Sequence, residues 1–301
     1  MIKKLFILST KAGNGNFADF KNKIIDTYTK HNRLDELEIV LTEDKEHGKK
    51  AALEFSKRNY SNKIVIACGG DGTIGEIAGV LAKSDTALGL IPMGTGNDFS
   101  KNFDYSNFQI EDTFEPEIRP IDIIDINGEK CINVMSIGFD THILKRTYDF
   151  LNLYPKLGKK AFILAIIQSL LNIKNEKLEY DLITVTGKNL KVSGEYIISA
   201  LCNGGYYGSG FNPSPTALID DGVLNLVAIK KLPYLSIIPL IFKYKKGTHI
   251  THENVEEYEV VSGKIKTPQG AIANMDGEIF QFKEIDFKVI KNGILWAYLA
   301  K

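Results

Sequence analysis

The sequence predicts an α/β domain built on a parallel sheet, followed by a β-rich domain that is most simply a sandwich. Three observations carry that prediction. Over roughly the first hundred residues, short continuous apolar runs alternate with amphipathic helical stretches, the pattern of a parallel sheet covered on both faces. Beyond about residue 118 strand-like runs dominate and helices become interruptions. Two glycine-rich loops each follow a buried apolar run directly, and adjacent parallel strands would set them side by side at the carboxyl edge, where open α/β sheets bind ligands.

In order, residues 4–10 form an apolar run that ends in Lys11-Ala12-Gly13-Asn14-Gly15. Residues 17–31 have helical spacing, with Phe17, Phe20, Ile24, Ile25 and Tyr28 recurring at three and four. Residues 37–42 are strand-like, 46–59 helical with Ala51, Ala52 and Phe55 on one face, 63–68 a buried strand, 74–83 a helix and 87–92 another buried strand. Domains are expected at 1–120 and 121–301, with the last ten or so residues free to return to the first. In the second, the strand-like runs are 118–126, 131–136, 180–186, 195–202, 223–229, 258–266, 271–274, 285–290 and 294–299. Helices fall near 141–153, 159–174 and 234–246. No repeat or Pro/Ser linker intervenes, so the domains are expected to abut, with the active site between them.

Composition narrows the function. Lys+Arg and Asp+Glu are both 37, and a zero net charge argues against a nucleic-acid-binding protein. The three cysteines, Cys68, Cys131 and Cys202, are too few and too scattered for a disulfide framework or a zinc site, which points to a reducing, cytoplasmic compartment. The apolar run after Lys3-Lys4 is four residues long, too short for a signal peptide. The stretch from 161 to 171 is short of the roughly 18 to 20 residues that a membrane span needs. The five histidines are scattered, and His249 and His252 lack a third ligand nearby, so they read as solvated or supporting residues.

The chemistry concentrates in the glycine loops. Gly69-Gly70-Asp71-Gly72-Thr73 lies between a buried strand and a helix, so its backbone N–H groups and the helix N-terminus suit a polyphosphate. Asp71 would repel bare phosphate and makes sense with a bridging Mg²⁺; a tight strand–helix turn is the competing reading. Pro92-Met93-Gly94-Thr95-Gly96-Asn97-Asp98-Phe99 follows the next strand, and Asp98 could share that ion; Asn97-Asp98 could equally cap the next helix. There is no Gly-x-x-x-x-Gly-Lys-Ser/Thr, and Gly13-Asn14-Gly15 is only a fragment of a dinucleotide fingerprint.

These two loops, about twenty residues apart, resemble the diacylglycerol kinase catalytic family, which includes bacterial diacylglycerol kinases and sphingosine kinase relatives and is more distantly similar to NAD kinases. The likeness continues through Asn133 to Asp140, Asn203 to Gly210, Pro213 to Gly222, and Asn274-Met275-Asp276-Gly277-Glu278. It implies a three-layer α/β nucleotide domain followed by a β-sandwich, and ATP with Mg²⁺. It implies a nucleotide site drawn from Ser9, Thr10, Lys11, Ala12, Gly13, Thr42, Gly69, Gly70, Asp71, Gly72, Thr73, Glu76, Gly94, Thr95, Asn97 and Asp98. It also implies a general base at Asp276, with Glu278 beside it, and a structural Mg²⁺ held by Asp221 and the carbonyls of Leu218 and Val223. On the residues alone, both acidic segments read as turns. The family's Asn-Pro after the first strand is replaced here by Ser9-Thr10, which puts side-chain contacts there in question.

The expected activity is phosphoryl transfer from ATP to a lipid hydroxyl, diacylglycerol first, with phosphatidylglycerol, a sphingoid base or a polyprenol served by the same machinery. Two apolar stretches, 161–171 and 232–242, are flanked by Lys156, Lys159, Lys160 and Lys174, and by Lys230, Lys231, Lys243, Lys245 and Lys246. Such stretches suit peripheral binding at the inner face of a membrane; they would equally serve as core helices or as a homodimer face. The competing functions are NAD kinase and a non-catalytic binding protein, the latter expected to have lost Asp71, Asp98 or Asp276, all of which are present.

Overall fold

The computed structural model describes residues 2–10, 17–42, 44–158 and 160–300. The first part alternates β1 (Ile2–Ser9), α1 (Phe17–Lys30), β2 (Leu37–Thr42), α2 (Lys45–Ser56), β3 (Asn62–Gly69), α3 (Asp71–Leu81) and β4 (Ala87–Pro92). Its strands are parallel in the order β4-β3-β1-β2. Leu5 to Leu8, Ile64 to Cys68 and Ala87 to Ile91, in β1, β3 and β4, are unbroken apolar runs because both faces are covered. Leu5 and Ile7 of β1 pack with Phe55 and Ile77 of α2 and α3, while Phe6 and Leu8 pack with Ile24 and Tyr28 of α1.

The second part comprises β5 (Glu117–Ile126), β6 (Glu129–Cys131), β7 (Val134–Gly138), α4 (Phe139–Leu153), α5 (Lys160–Leu171), β8 (Glu176–Thr184), β9 (Asn189–Cys202), β10 (Leu224–Lys230), α6 (Tyr234–Lys246), β11 (Val255–Met275) and β12 (Glu278–Tyr298). Its antiparallel strands enclose a core that includes Ile124, Tyr180, Leu201, Leu226, Ile265 and Phe287. A further layer, with Phe139, Ala165, Ile237 and Leu240 from α4, α5 and α6, packs on Val134, Ala200 and Ile229. This is the α/β-plus-sandwich architecture that the sequence predicts.

Two elements differ from the sequence reading. Residues 258–274 belong to one 21-residue strand, β11, and residues 285–299 largely to another, β12. The turn-like residues between the expected pairs are bulges: the β11–β12 register shifts between Lys266 and Ala271, and the β12–β5 register between Ile290 and Ile294. β12 then joins the parallel sheet, Trp296 pairing with Leu88 of β4. Trp296 is buried, stacked on Phe103 at 5.2 Å and edge-on to Phe99 at 5.3 Å. The three cysteines are free and buried. No helix among the described residues is long and apolar enough to cross a membrane.

Candidate active site

The nucleotide loops form because their glycines let two backbones touch. β3 ends at Gly69, and Gly70 caps α3 with no side-chain hydrogen bond, leaving first-turn N–H groups for a ligand. A Cβ on Gly94 would stand 2.6 Å from the Gly70 Cα, so no larger residue fits there. Asn97, in the left-handed region at φ 50°, closes the second loop by accepting from the Gly94 N–H and donating to its carbonyl, both at 2.8 Å.

The two acids of these loops accept from different backbone donors. Asp71 Oδ1 accepts from the Phe99 N–H at 2.9 Å, tying one loop to the other. Burial, with the charge of Asp98 alongside, pushes the Asp71 carboxyl above the usual carboxylate range, a cost that a bound cation would offset. Asp98 lies beside it: a Cβ on Gly96 would stand 3.0 Å from Asp71 Oδ2 and 3.6 Å from Asp98 Oδ2. Its carboxylate accepts from the Ser209 and Gly210 N–H groups at 2.7 Å each and pairs with Lys101. These bonds clasp the α/β domain to the loop after β9.

Ser9, Thr42, Gly70, Gly72, Thr73, Glu76, Gly94 and Thr95 line a cleft of about 570 Å³ between the two parts. Gly69 lies behind it, against the Thr73 side chain. Thr10 is not among the lining residues; its hydroxyl donates to the Thr42 carbonyl at 2.7 Å and binds two strand ends together. Lys11, Ala12 and Gly13 lie outside the described residues.

Asp276 reaches the cleft from the other side. Asp276-Gly277 is a hairpin turn with φ of 48° and 97°, as the residues alone read, and Asp276 lines the cleft. The carboxylate accepts from the N–H groups of Ile132, Asn133 and Val134 at 2.7, 3.2 and 3.2 Å. Burial nevertheless outweighs these donors and pushes its pKa up to about 6. Glu278, on the far side of the tight turn, lines the same cleft. Gly75, which sequence reasoning passed over, sets the closure: a Cβ there would stand 3.2 Å from the Asp276 Cβ, so α3 approaches the turn closely. A glycine inside a helix, normally costly, was the available signal.

The third acidic site lies at the joint of the domains. Asp221 Oδ1 accepts from the Val223 N–H at 2.9 Å, and burial with the charges of Asp122 and Asp220 pushes its carboxyl up. Asp122, also passed over, is buried and accepts from the Gly222 and Asn292 N–H groups at 2.6 and 2.8 Å. Among the described residues no group of three or more His, Cys, Asp or Glu side chains is arranged to hold a metal, so any cation here would rest on Asp221 and carbonyls such as those of the exposed Leu218 and of Val223. If it does, Mg²⁺ is expected to raise the wild-type melting temperature, and Asp221→Ala to lose that shift. An unchanged shift in the variant would remove Asp221 from the metal site.

A second, apolar pocket of about 140 Å³ adjoins the cleft, sharing Leu144, Tyr207, Gly208 and Asn274 with it. It is roofed by Phe162 and Ile166 of α5 and by Ile237, Leu240 and Ile241 of α6.

Comparison with known proteins gives a consistent result. The profile of the diacylglycerol kinase catalytic domain matches residues 3–126, and that of the YegS C-terminal NAD kinase beta sandwich-like domain matches residues 133–290. Two relatives, from Yersinia pestis (strain Pestoides F) and Yersinia pseudotuberculosis serotype O:1b (strain IP 31758), carry the name Probable lipid kinase YegS-like. Each is 28% identical over 261 residues, covering 83% of both chains. A solved structure described as a diacylglycerol kinase from Bacillus anthracis str. Sterne superposes with a TM-score of 0.73 at 20% identity, covering 98% of this chain and 96% of its own.

Proposed function

Because the chain belongs to the diacylglycerol kinase catalytic family, with a C-terminal domain of the YegS type, we propose that it transfers the γ-phosphoryl group of ATP to a lipid hydroxyl, diacylglycerol being the first candidate. The observation that carries this reading is the meeting of three features in one place. A glycine cradle for phosphates, a carboxylate with a pKa near 6 and an apolar pocket all open on the same cleft.

In this reading the loop N–H groups at the start of α3 and around Gly94 hold the phosphates, and Asp71 would hold Mg²⁺, which when bound supplies neutralising charge at the phosphate oxygens. Asp276 orients the lipid hydroxyl. Its oxygen forms a bond to the γ-phosphorus as the bond to the β–γ bridging oxygen breaks; ADP leaves, and the hydroxyl proton passes to the carboxylate. The acyl part lies in the apolar pocket. Purified protein with labelled ATP and a lipid panel tests it: label extracted into organic solvent is expected, whereas label on NAD would make this an NAD kinase.

We also propose that the outer faces of α5 and α6 rest on a membrane. Leu171, Leu235 and Phe242 are 78%, 82% and 65% exposed, although the same helices roof the apolar pocket with their inner faces. The lysines at their ends suit an anionic surface, at about 1 kcal/mol each. Leu235→Asp with Phe242→Asp is expected to abolish co-sedimentation with phosphatidylglycerol vesicles. Retained binding, or a wild-type dimer that only the double variant disrupts, would assign these faces elsewhere.

A further inference from the structure

Tyr148 has no place in the chemistry described so far. It stands in α4, one helical turn beyond Leu144, so the two side chains share a face. Leu144 lines both the cleft and the apolar pocket; Tyr148 lines the cleft together with Asp276, Gly277 and Glu278. Tyr148 is 41% exposed, yet its hydroxyl is engaged, donating to the Gly277 carbonyl at 2.9 Å. The turn that it touches is held from several sides. The Asp276 N–H donates to the Val134 carbonyl at 3.3 Å, and the Gly277 N–H to Asn274 Oδ1 at 2.9 Å. The Asp276 carboxylate is bound to the backbone from Ile132 to Val134, and α3 closes in at Gly75. Tyr148 adds a hold from α4.

Asp276 is an L residue in the left-handed region, at φ 48°, and such a residue stays there only while its surroundings over-determine it. Gly277, at φ 97°, has no Cβ to restrict it. Fixing its carbonyl stops the turn from changing type, and the direction of the Asp276 side chain follows from the turn. We propose that Tyr148 is a positioning residue for phosphoryl transfer, holding the Gly277 carbonyl so that the turn presents the Asp276 carboxylate to the lipid hydroxyl. Reaction needs atoms aligned and within about 3–3.5 Å of each other, so a small swing of the turn costs rate without costing nucleotide binding. The inference rests on the lipid-kinase reading above and deepens it.

Steady-state kinetics of Tyr148→Phe on dispersed lipid test it, since Phe keeps the ring and removes only the hydroxyl. kcat is expected to fall about 3- to 10-fold, the scale of one neutral hydrogen bond, with KM for ATP and the melting temperature unchanged. The same substitution made on Asp276→Asn is expected to cost less than about twofold, because the turn there no longer presents a base. A wild-type kcat in Tyr148→Phe overturns the inference, as does a rise in lipid KM alone. A loss equal in both backgrounds also overturns it and would place Tyr148 on the substrate itself. In each of these cases the wild type still phosphorylates lipid and the kinase reading stands. If the wild type phosphorylates no lipid, the kinase reading fails, and hydrogen exchange without ATP decides the hold by itself. Exchange at the amides from Asn274 to Glu278 that is at least about threefold faster in Tyr148→Phe upholds it, and equal exchange overturns it.

Discussion

Asp276→Asn is expected to lower kcat for lipid phosphorylation by about 10²- to 10⁴-fold, the range for loss of a general base, while ATP still binds. The three N–H groups of Ile132, Asn133 and Val134 make the substitution less innocent than its shape suggests. An Asn amide offers one accepting oxygen, so turning it to Asn133 and Val134 leaves its NH₂ facing the Ile132 donor. A loss of stability of about 1–3 kcal/mol is therefore expected as well, and melting curves must accompany the kinetics. The pH dependence separates the two effects. A base with a pKa of about 6 is ineffective when protonated, so wild-type kcat/KM should climb as pH rises through that value and level above it. The climbing limb should be absent from the variant, since Asn does not titrate. A loose phosphoryl transition state needs little proton removal, so part of the loss will come from a misplaced nucleophile. Less than about a tenfold loss, with the limb intact, would assign the base elsewhere.

What was legible in the sequence was what local pattern encodes. Gly69 to Thr73 and Gly94 to Asn97 could be read because glycines clustered after an apolar run have few other uses. The parallel strands could be read because two covered faces demand unbroken apolar runs. Asp276 was different: Asp-Gly between strands is also what an ordinary hairpin requires, and only the family resemblance marked it. Long-range pairings were not legible. Asp98 finds its donors 111 and 112 positions away, in a loop whose position depends on the whole second domain. Asn292-Gly293 fell between two expected strands because a bulge and a turn use the same residues; only the pairing of β12 with β5 distinguishes them.

Asp71→Ala is expected to reduce turnover by about 10³-fold, since charge stabilisation by a bound metal is worth several kcal/mol and each 1.36 kcal/mol is tenfold. Two functions of the side chain must be separated, the tie between the loops that the structure shows and the Mg²⁺ site proposed for it. Its Oδ1 accepts from the Phe99 N–H and holds the two glycine loops in register; Ala loses that bond as well as the charge. Oδ2 faces Gly96, where a Cβ would stand 3.0 Å away, so the second loop leaves room for this oxygen only by lacking a side chain. Asp71→Asn isolates the charge, since its amide oxygen can still accept from Phe99. If the carboxylate holds Mg²⁺, Asn should be nearly as inactive as Ala but melt closer to wild type. Calorimetric titration with ATP should then show Mg²⁺ strengthening binding in the wild type and not in either variant. The pH dependence has a definite sign: burial raises the Asp71 pKa, so protons compete with the cation, and the Mg²⁺-dependent part of ATP affinity should weaken as pH falls. Near-normal kcat in Asp71→Asn would make Asp71 a structural tie between the loops and leave the nucleotide's metal to be held by other groups in the cleft.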